Sequence, residues 1–161
     1  MQPFIKWAGG KRQLLPEIID RLPKDFNNYY EPFIGGGALL LELQPKNAVI
    51  GDVNMTLITT YKIIEETPNE LMKILSEYEI KHNNSGDKKV FYYEMRDSFN
   101  EKLENNIYDI YTSALFIYLN KTCFNGLYRV NSKGLFNVPF NNKKEVKIYD
   151  TDNIRDISKY M

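Results

Sequence analysis

The chain has 161 residues, 43% hydrophobic and 26% charged, with 21 Lys+Arg against 21 Asp+Glu and one His; this length and balance suit one domain, or one domain with an insertion, and exclude a disordered polypeptide. The single cysteine, Cys123, excludes an intramolecular disulfide and a cysteine-based zinc cluster and fits a reducing compartment. No apolar run approaches the ~18 residues of a membrane span, and the N-terminus lacks the charged start and apolar stretch of a signal peptide, so no membrane partner and a cytoplasmic location are expected.

After an extended start and Gly9-Gly10, Leu14, Leu15, Ile18, Ile19 and Leu22 recur at helical spacing, with Pro16 in the first turn and Pro23 as the stop. Residues 29–34 read as a strand, Gly35-Gly36-Gly37 as a tight turn, residues 38–43 as a helix and residues 47–53 as a second strand ending near Asp52. Asn54 suits the cap of a helix with Leu57, Ile58, Tyr61 and Ile64 on one face. Thr67-Pro68-Asn69-Glu70 has the form of a capping box before a helix with Leu71, Ile74, Leu75 and Tyr78 inward. Residues 83–88 read as a polar loop, with His82 in solvent beside it. Phe91, Met95 and Phe99 imply another helix, as do Ile107, Ile110, Tyr111, Ala114, Leu115 and Tyr118. Residues 127–138 resemble a hairpin turning at Asn131-Ser132-Lys133-Gly134, and Asp150 to Asp152 can cap a final helix.

The neutral total hides a reversal. Residues 65–109 hold 11 acidic and 6 basic side chains, whereas residues 116–149 hold 6 basic and 1 acidic. Two solvated faces would account for this, and so would a later segment that faces an anion.

Glu31-Pro32-Phe33-Ile34-Gly35-Gly36-Gly37 lies between a strand and a helix, where glycines let a ligand approach the backbone and the helix N-terminus favours negative charge. Asp52 ends the next strand, where a carboxylate can accept both hydroxyls of a ribose. Separately each feature is ordinary; together they describe a site for an adenosyl ligand. A dinucleotide fingerprint would need a third glycine where Leu40 stands. A P-loop would need glycine at Ile5 and Ser or Thr at Arg12.

Phe4-Ile5-Lys6-Trp7-Ala8-Gly9-Gly10-Lys11, the Glu31–Gly37 block and Gly51-Asp52-Val53-Asn54 resemble the Dam-type (D12 class) DNA adenine-N6 methyltransferases. Phe124-Asn125-Gly126-Leu127-Tyr128-Arg129-Val130-Asn131-Ser132-Lys133-Gly134 through Phe136-Asn137-Val138-Pro139-Phe140 is similar to that family's DNA-reading hairpin. The four blocks match in order and spacing, and the resemblance covers essentially the whole chain. It implies an α/β fold: an incomplete Rossmann-like methyltransferase core with an inserted helical, hairpin-bearing recognition domain. The implied division is 1–57 for the first part of the cofactor-binding domain, 58–145 for the recognition domain with hairpin 127–138, and 146–161 for the return.

The resemblance also implies S-adenosylmethionine as cofactor. Trp7, Lys11, Glu31, Phe33, Gly35 and Gly37 would shape its pocket, and Asp52 would hold its ribose. It implies duplex DNA as partner: Lys6 reaching the recognition site, Phe124 and Asn125 wedging beside the target base, Arg129 reading a guanine edge, and Leu127 and Pro139 offering apolar contacts. The blocks look most like those of enzymes that methylate GATC. The family's Asp-Pro-Pro-Tyr type catalytic motif is missing, since no two of the seven prolines are adjacent, so no catalytic residue is assigned. The resemblance therefore implies the N-terminal portion of such an enzyme. The alternative is a module that holds cofactor and DNA but transfers nothing. A core short of its later strands leaves apolar edges bare, and self-association through them is the expected consequence.

Overall fold

The computed structural model describes every residue, Met1–Met161. It is a mixed α/β arrangement with a very small sheet and a predominance of helix. A 3-10 turn at Lys11–Leu14 leads into α1 (Leu15–Arg21), followed by β1 (Tyr29–Glu31), α2 (Ala38–Leu43), β2 (Ala48–Ile50), α3 (Met55–Glu66), α4 (Pro68–Asn84), α5 (Lys88–Glu104), α6 (Ile110–Thr122), a 3-10 turn at Phe124–Gly126 and α7 (Thr151–Tyr160).

The two strands pair in parallel, Tyr29 opposite Ala48, Tyr30 opposite Val49 and Glu31 opposite Ile50. Both are shorter than the 29–34 and 47–53 spans expected. Pro32 has no N–H to continue the ladder, so the chain leaves the sheet after Glu31 accepts from the Gly51 N–H at 2.9 Å, and Ile34 turns back to donate to the Gly51 carbonyl at 2.9 Å. That early exit releases the glycine turn from the sheet at the point where Asp52 emerges.

Helix α1 carries the expected stripe without burying it. Leu15, Ile18 and Leu22 are half-buried against the core, while Leu14 and Ile19 are exposed. Helix α3 is capped by Asn54, whose side chain accepts from the Leu57 N–H at 3.0 Å, and Leu57, Tyr61 and Ile64 are buried as its spacing predicts. The capping box at Thr67 does not form. Thr67 is the only residue between α3 and α4, and its hydroxyl donates to the Ile63 carbonyl at 3.3 Å, finishing α3 instead of starting α4.

Helix α6 is the centre of the molecule and packs against α3, α4 and α5. Its expected stripe is corrected: Ile107 and Tyr111 are exposed, whereas ten residues from Thr112 to Thr122 are buried around the helix. A helix apolar nearly all round is a core helix, not an amphipathic one. Asp109 and Thr112 form the true capping box, the Asp109 carboxylate accepting from the Thr112 N–H at 2.8 Å. Helix α7, capped by Asp150, packs on α3 and α4, and its Tyr160 hydroxyl donates to the Pro45 carbonyl beside β2 at 3.1 Å.

With so little sheet, the extended segments need other partners for their peptide groups. Four helix-borne asparagines supply them. Asn83 grips both the N–H and the carbonyl of Val146, Asn100 those of Phe136, Asn120 those of Lys6 and Asn153 those of Gln2, all within 2.8–3.1 Å. Each amide side chain imitates one rung of a strand. Two positions expected to be loop or solvent are therefore built into the fold. Asn83 is the penultimate residue of α4, and His82 is fully buried, its Nδ1 2.9 Å from the Tyr118 hydroxyl and its Nε2 3.4 Å from the Lys143 carbonyl. Burial holds the imidazole below its ordinary pKa, so it is the neutral ring that is built in.

Candidate functional site

The glycine turn is shaped by what leans on it. Gly35 and Gly37 have φ of +53° and +72°, the left-handed region that favours glycine. A Cβ on Gly35 would lie 2.8 Å from the Trp7 ring, and one on Gly37 would collide with the Tyr61 hydroxyl. The same hydroxyl donates to the Gly35 carbonyl at 3.4 Å. The Asp52 carboxylate straddles the turn: Oδ2 accepts from the Gly35 N–H and Oδ1 from the Asn54 N–H, each at 3.0 Å. Each oxygen keeps lone-pair capacity on its outer side, and Asp52 is only partly buried.

Glu31, 5% exposed, is held in place from both sides. Lys11 Nζ lies 2.9 Å from Oε1, and the Tyr29 hydroxyl donates to Oε2 at 2.7 Å. Burial, then the Glu31 carboxylate, push the Tyr29 hydroxyl well above the ordinary range, so it remains a donor. Lys11 also donates to the Phe33 carbonyl at 2.9 Å, drawing the N-terminal block onto the turn. Phe33 itself is 72% exposed. A cavity of about 540 Å³ lies between this block and the turn, lined by Lys6, Trp7, Gly10, Lys11, Gly36 and Lys121 among others. The structure thus brings Trp7, Lys11, Glu31, Phe33, Gly35 and Asp52 around one turn, while Gly37 faces inward against Tyr61.

Trp7 also stacks on Tyr128, the ring centroids 5.4 Å apart and the planes 18° from parallel. Tyr128 belongs to the hairpin, so the N-terminal block and the hairpin meet at this pair. The hairpin has no regular strands. One antiparallel bridge joins Val130 and Phe136, the Asn131 N–H donates to the Leu135 carbonyl at 2.9 Å, and the Asn131 carboxamide accepts from Lys133 and Leu135 N–H groups across the turn. A second bridge, Cys123 with Phe140, steadies the base of the preceding turn. On that turn Phe124 is 51% exposed and Asn125 sits at φ +55°, so both project outward from a fixed backbone.

Arg129 is exposed, with Nε donating to the Asn137 Oδ1 at 2.7 Å and a terminal nitrogen to the Asn137 carbonyl at 3.3 Å. No acidic residue pairs with it. Pro139 is exposed; Leu127 is half-buried against the core. Cys123 is buried, and desolvation pushes its thiol up to about 11, as befits a small apolar core residue.

Two lysines escaped the sequence reading. Lys121 and Lys143 join Lys6 around a cavity of about 330 Å³ that Phe124 and Asn125 also line. None of the three has a carboxylate partner, since the chain's ion pairs are Lys11–Glu31, Arg21–Glu17 and Lys102–Asp109. Burial, then Lys6 and Lys143, hold Lys121 below its ordinary pKa. Three convergent ammonium groups without a counter-charge make an anion-attracting pocket. The local excess of basic residues in 116–149 was the available signal, but it could not say which lysines converge. No group of three His, Cys, Asp or Glu side chains gathers as a metal site.

Residues 7–161 match the D12 class N6 adenine-specific DNA methyltransferase family. The chain belongs to this family. Among D12-related proteins, it is 42% identical over 172 residues to the type II methyltransferase M.MjaIII of Methanocaldococcus jannaschii, covering 100% of this chain and 59% of that one. It is 41% identical over 161 residues to the type II methyltransferase M1.LlaDCHI of Lactococcus lactis subsp. cremoris, covering 100% and 55%. It is 35% identical over 142 residues to the DNA adenine methylase of Escherichia coli strain K12, covering 88% and 48%. This D12 class chain therefore spans about half the length of these relatives. No helix is long and apolar enough to cross a membrane.

Proposed function

We propose that the chain forms the cofactor-holding and DNA-recognising portion of a site-specific adenine-N6 methyltransferase that takes its methyl group from S-adenosylmethionine. The observation that carries this reading is the meeting of the Asp52-braced glycine turn with the basic hairpin through Trp7 and Tyr128. In this reading 1–57 begins a Rossmann-like core, 58–145 is the inserted recognition domain and 146–161 returns to the core.

The donor set suits that cofactor. The outer lone pairs of Asp52 accept the two ribose hydroxyls, the Glu31 carboxylate faces the methionine ammonium, and Trp7 and Phe33 with Gly35 wall the pocket, with Lys11 fixing Glu31 and Gly37 letting the turn close on Tyr61 behind it. The bound cofactor supplies an electrophilic methyl group on a sulfonium. On the DNA side Lys6, Lys121 and Lys143 meet phosphate or base edges, Phe124 and Asn125 wedge beside the adenine as it leaves the stack, and Arg129 reads a guanine, with Leu127 and Pro139 against the bases beside it. GATC is the proposed site. The acceptor motif that would orient the adenine amine does not occur among these residues, so the chain by itself binds without transferring. Tyr30, Val49 and Val53 lie exposed along and beyond the small sheet, which supports a surface covered by further strands in the longer relatives, and self-association of the isolated chain.

The test is titration of labelled S-adenosylmethionine into the chain and an Asp52→Ala variant, with methyl transfer to a GATC duplex followed in the same samples. Binding that the variant loses, without transfer, supports the proposal. Transfer would place the acceptor among residues that have no role in this scheme, and absence of cofactor binding in the parent chain would sink it.

A further inference from the structure

Trp7 is clamped from two directions. On one side its ring edge fills the space over Gly35 where a Cβ would stand 2.8 Å away. On the other it lies flat on Tyr128. Tyr128 is in turn set by rings of different elements, edge-on to Phe116 of α6 at 5.5 Å and tilted against Phe136 of the opposite hairpin arm at 5.8 Å. The backbone of Lys6, next to Trp7, is tied to the hairpin entrance by Asn120, which receives the Lys6 N–H and donates to both the Lys6 and Gly126 carbonyls at 2.8–3.0 Å. The glycine turn and the hairpin therefore share one wall.

We infer that Tyr128 is a positioning residue that couples the two ligands of this chain: holding Trp7 with its ring edge against the glycine turn, it makes adenosyl-cofactor binding and duplex binding strengthen one another. The inference rests on the proposed function and deepens it. The two states are Trp7 stacked on Tyr128 and Trp7 released. A cofactor that packs on Trp7 favours the stacked state from the turn side, and a duplex that orders the hairpin favours it from the Tyr128 side. Coupling of this kind must be reciprocal. Trp7 is the sole tryptophan, so its emission reports the stack directly.

The experiment uses the full chain, S-adenosylhomocysteine as a cofactor probe that cannot react, and a GATC duplex, with Trp7 fluorescence and duplex anisotropy as readouts. Saturating S-adenosylhomocysteine is expected to tighten duplex binding by about fivefold or more, a typical allosteric coupling. The duplex is expected to tighten S-adenosylhomocysteine by the same factor. Tyr128→Phe keeps the ring and keeps the coupling. Tyr128→Ala abolishes it and shifts Trp7 emission while each ligand still binds. Tyr128→Leu fills the space without a ring, so the coupling is judged in whichever of these two variants melts cooperatively. Independent binding by the parent chain, or coupling that survives loss of the ring, overturns the inference while leaving the functional reading intact. Failure of the parent chain to bind either ligand overturns both.

Discussion

Lys6 and Asn120, 114 residues apart, exchange two hydrogen bonds: the Lys6 N–H donates to Asn120 Oδ1 at 2.8 Å, and Asn120 Nδ2 donates to the Lys6 carbonyl at 2.8 Å. The same Nδ2 reaches the Gly126 carbonyl at 3.0 Å. One buried side chain on α6 thereby fixes the N-terminal block against the turn that carries Phe124 and Asn125. Asn120→Ala leaves three backbone groups without their partner. The expected loss is about 2–3 kcal/mol of stability, read as a lower urea midpoint at unchanged slope. A midpoint within error of the parent would show that water replaces the amide at no cost.

Gly37 is the glycine whose substitution the structure forbids most clearly. Its φ is +72° and a Cβ would collide with the Tyr61 hydroxyl. Gly37→Ala is expected to cost about 2 kcal/mol or more, from left-handed strain plus overpacking. Gly86 lies in an exposed loop, with nothing within 4 Å of where an added methyl group would stand, so Gly86→Ala should change stability by less than about 0.5 kcal/mol. Equal thermal midpoints for the two variants would contradict the packing described around Tyr61.

His82 gives the fold a pH dependence with a definite sign. Burial lowers its pKa from an ordinary 6.5. As pH falls through about 6.5 the unfolded chain takes up a proton that the folded chain refuses, so stability declines in that direction and the contribution is complete above it. The slope should approach but not exceed about 1.4 kcal/mol per pH unit from this residue. Since His82 is the only histidine, its imidazole resonances can be followed without assignment. Urea midpoints between pH 8 and 5.5 should fall for the parent and stay flatter for His82→Gln. Imidazole resonances that titrate at 6.5 or above in the folded protein would refute the buried neutral ring.

Lys121→Gln tests the basic pocket apart from the fold. The side chain makes no ion pair, and burial and two neighbouring lysines already disfavour its charge. Removing it should leave the thermal midpoint unchanged or raised. In the proposed role it should weaken duplex binding across sequences and reduce the slope of log affinity against log salt by about 1. An unchanged salt slope would remove Lys121 from the phosphate contacts.

The helices were legible wherever local chemistry decides: α2 falls on 38–43 as its spacing predicts, Asn54 and Asp150 cap the helices they precede, and Pro68 opens α4. Legibility failed where a residue's partner is distant. His82 and Asn83 look polar and loop-like because nothing local reveals Tyr118 or Val146. The first strand was overextended because aromatic and apolar residues continue past Pro32 to Phe33 and Ile34 while the ladder cannot. Trp7, Lys11, Glu31 and Asp52, from three separate blocks, gather around one glycine turn. Asn120, Lys121 and Lys143 lie outside the motifs, and Tyr128 lies within the hairpin block with no role assigned to it; their convergence depends on the packing of α6 and the hairpin.

The grip of Asn100 on the hairpin is made to the peptide group of Phe136, through its N–H at 2.8 Å and its carbonyl at 3.0 Å. The mount therefore takes hold of the backbone and is indifferent to the side chains that point away from it. Arg129, Ser132, Lys133 and Pro139 all lie on the outward side, so their chemistry can change while the bracket that carries them stays the same. In the proposed role, an element held this way is an exchangeable reading head: what it reads can be rewritten without redesigning the helices that hold it.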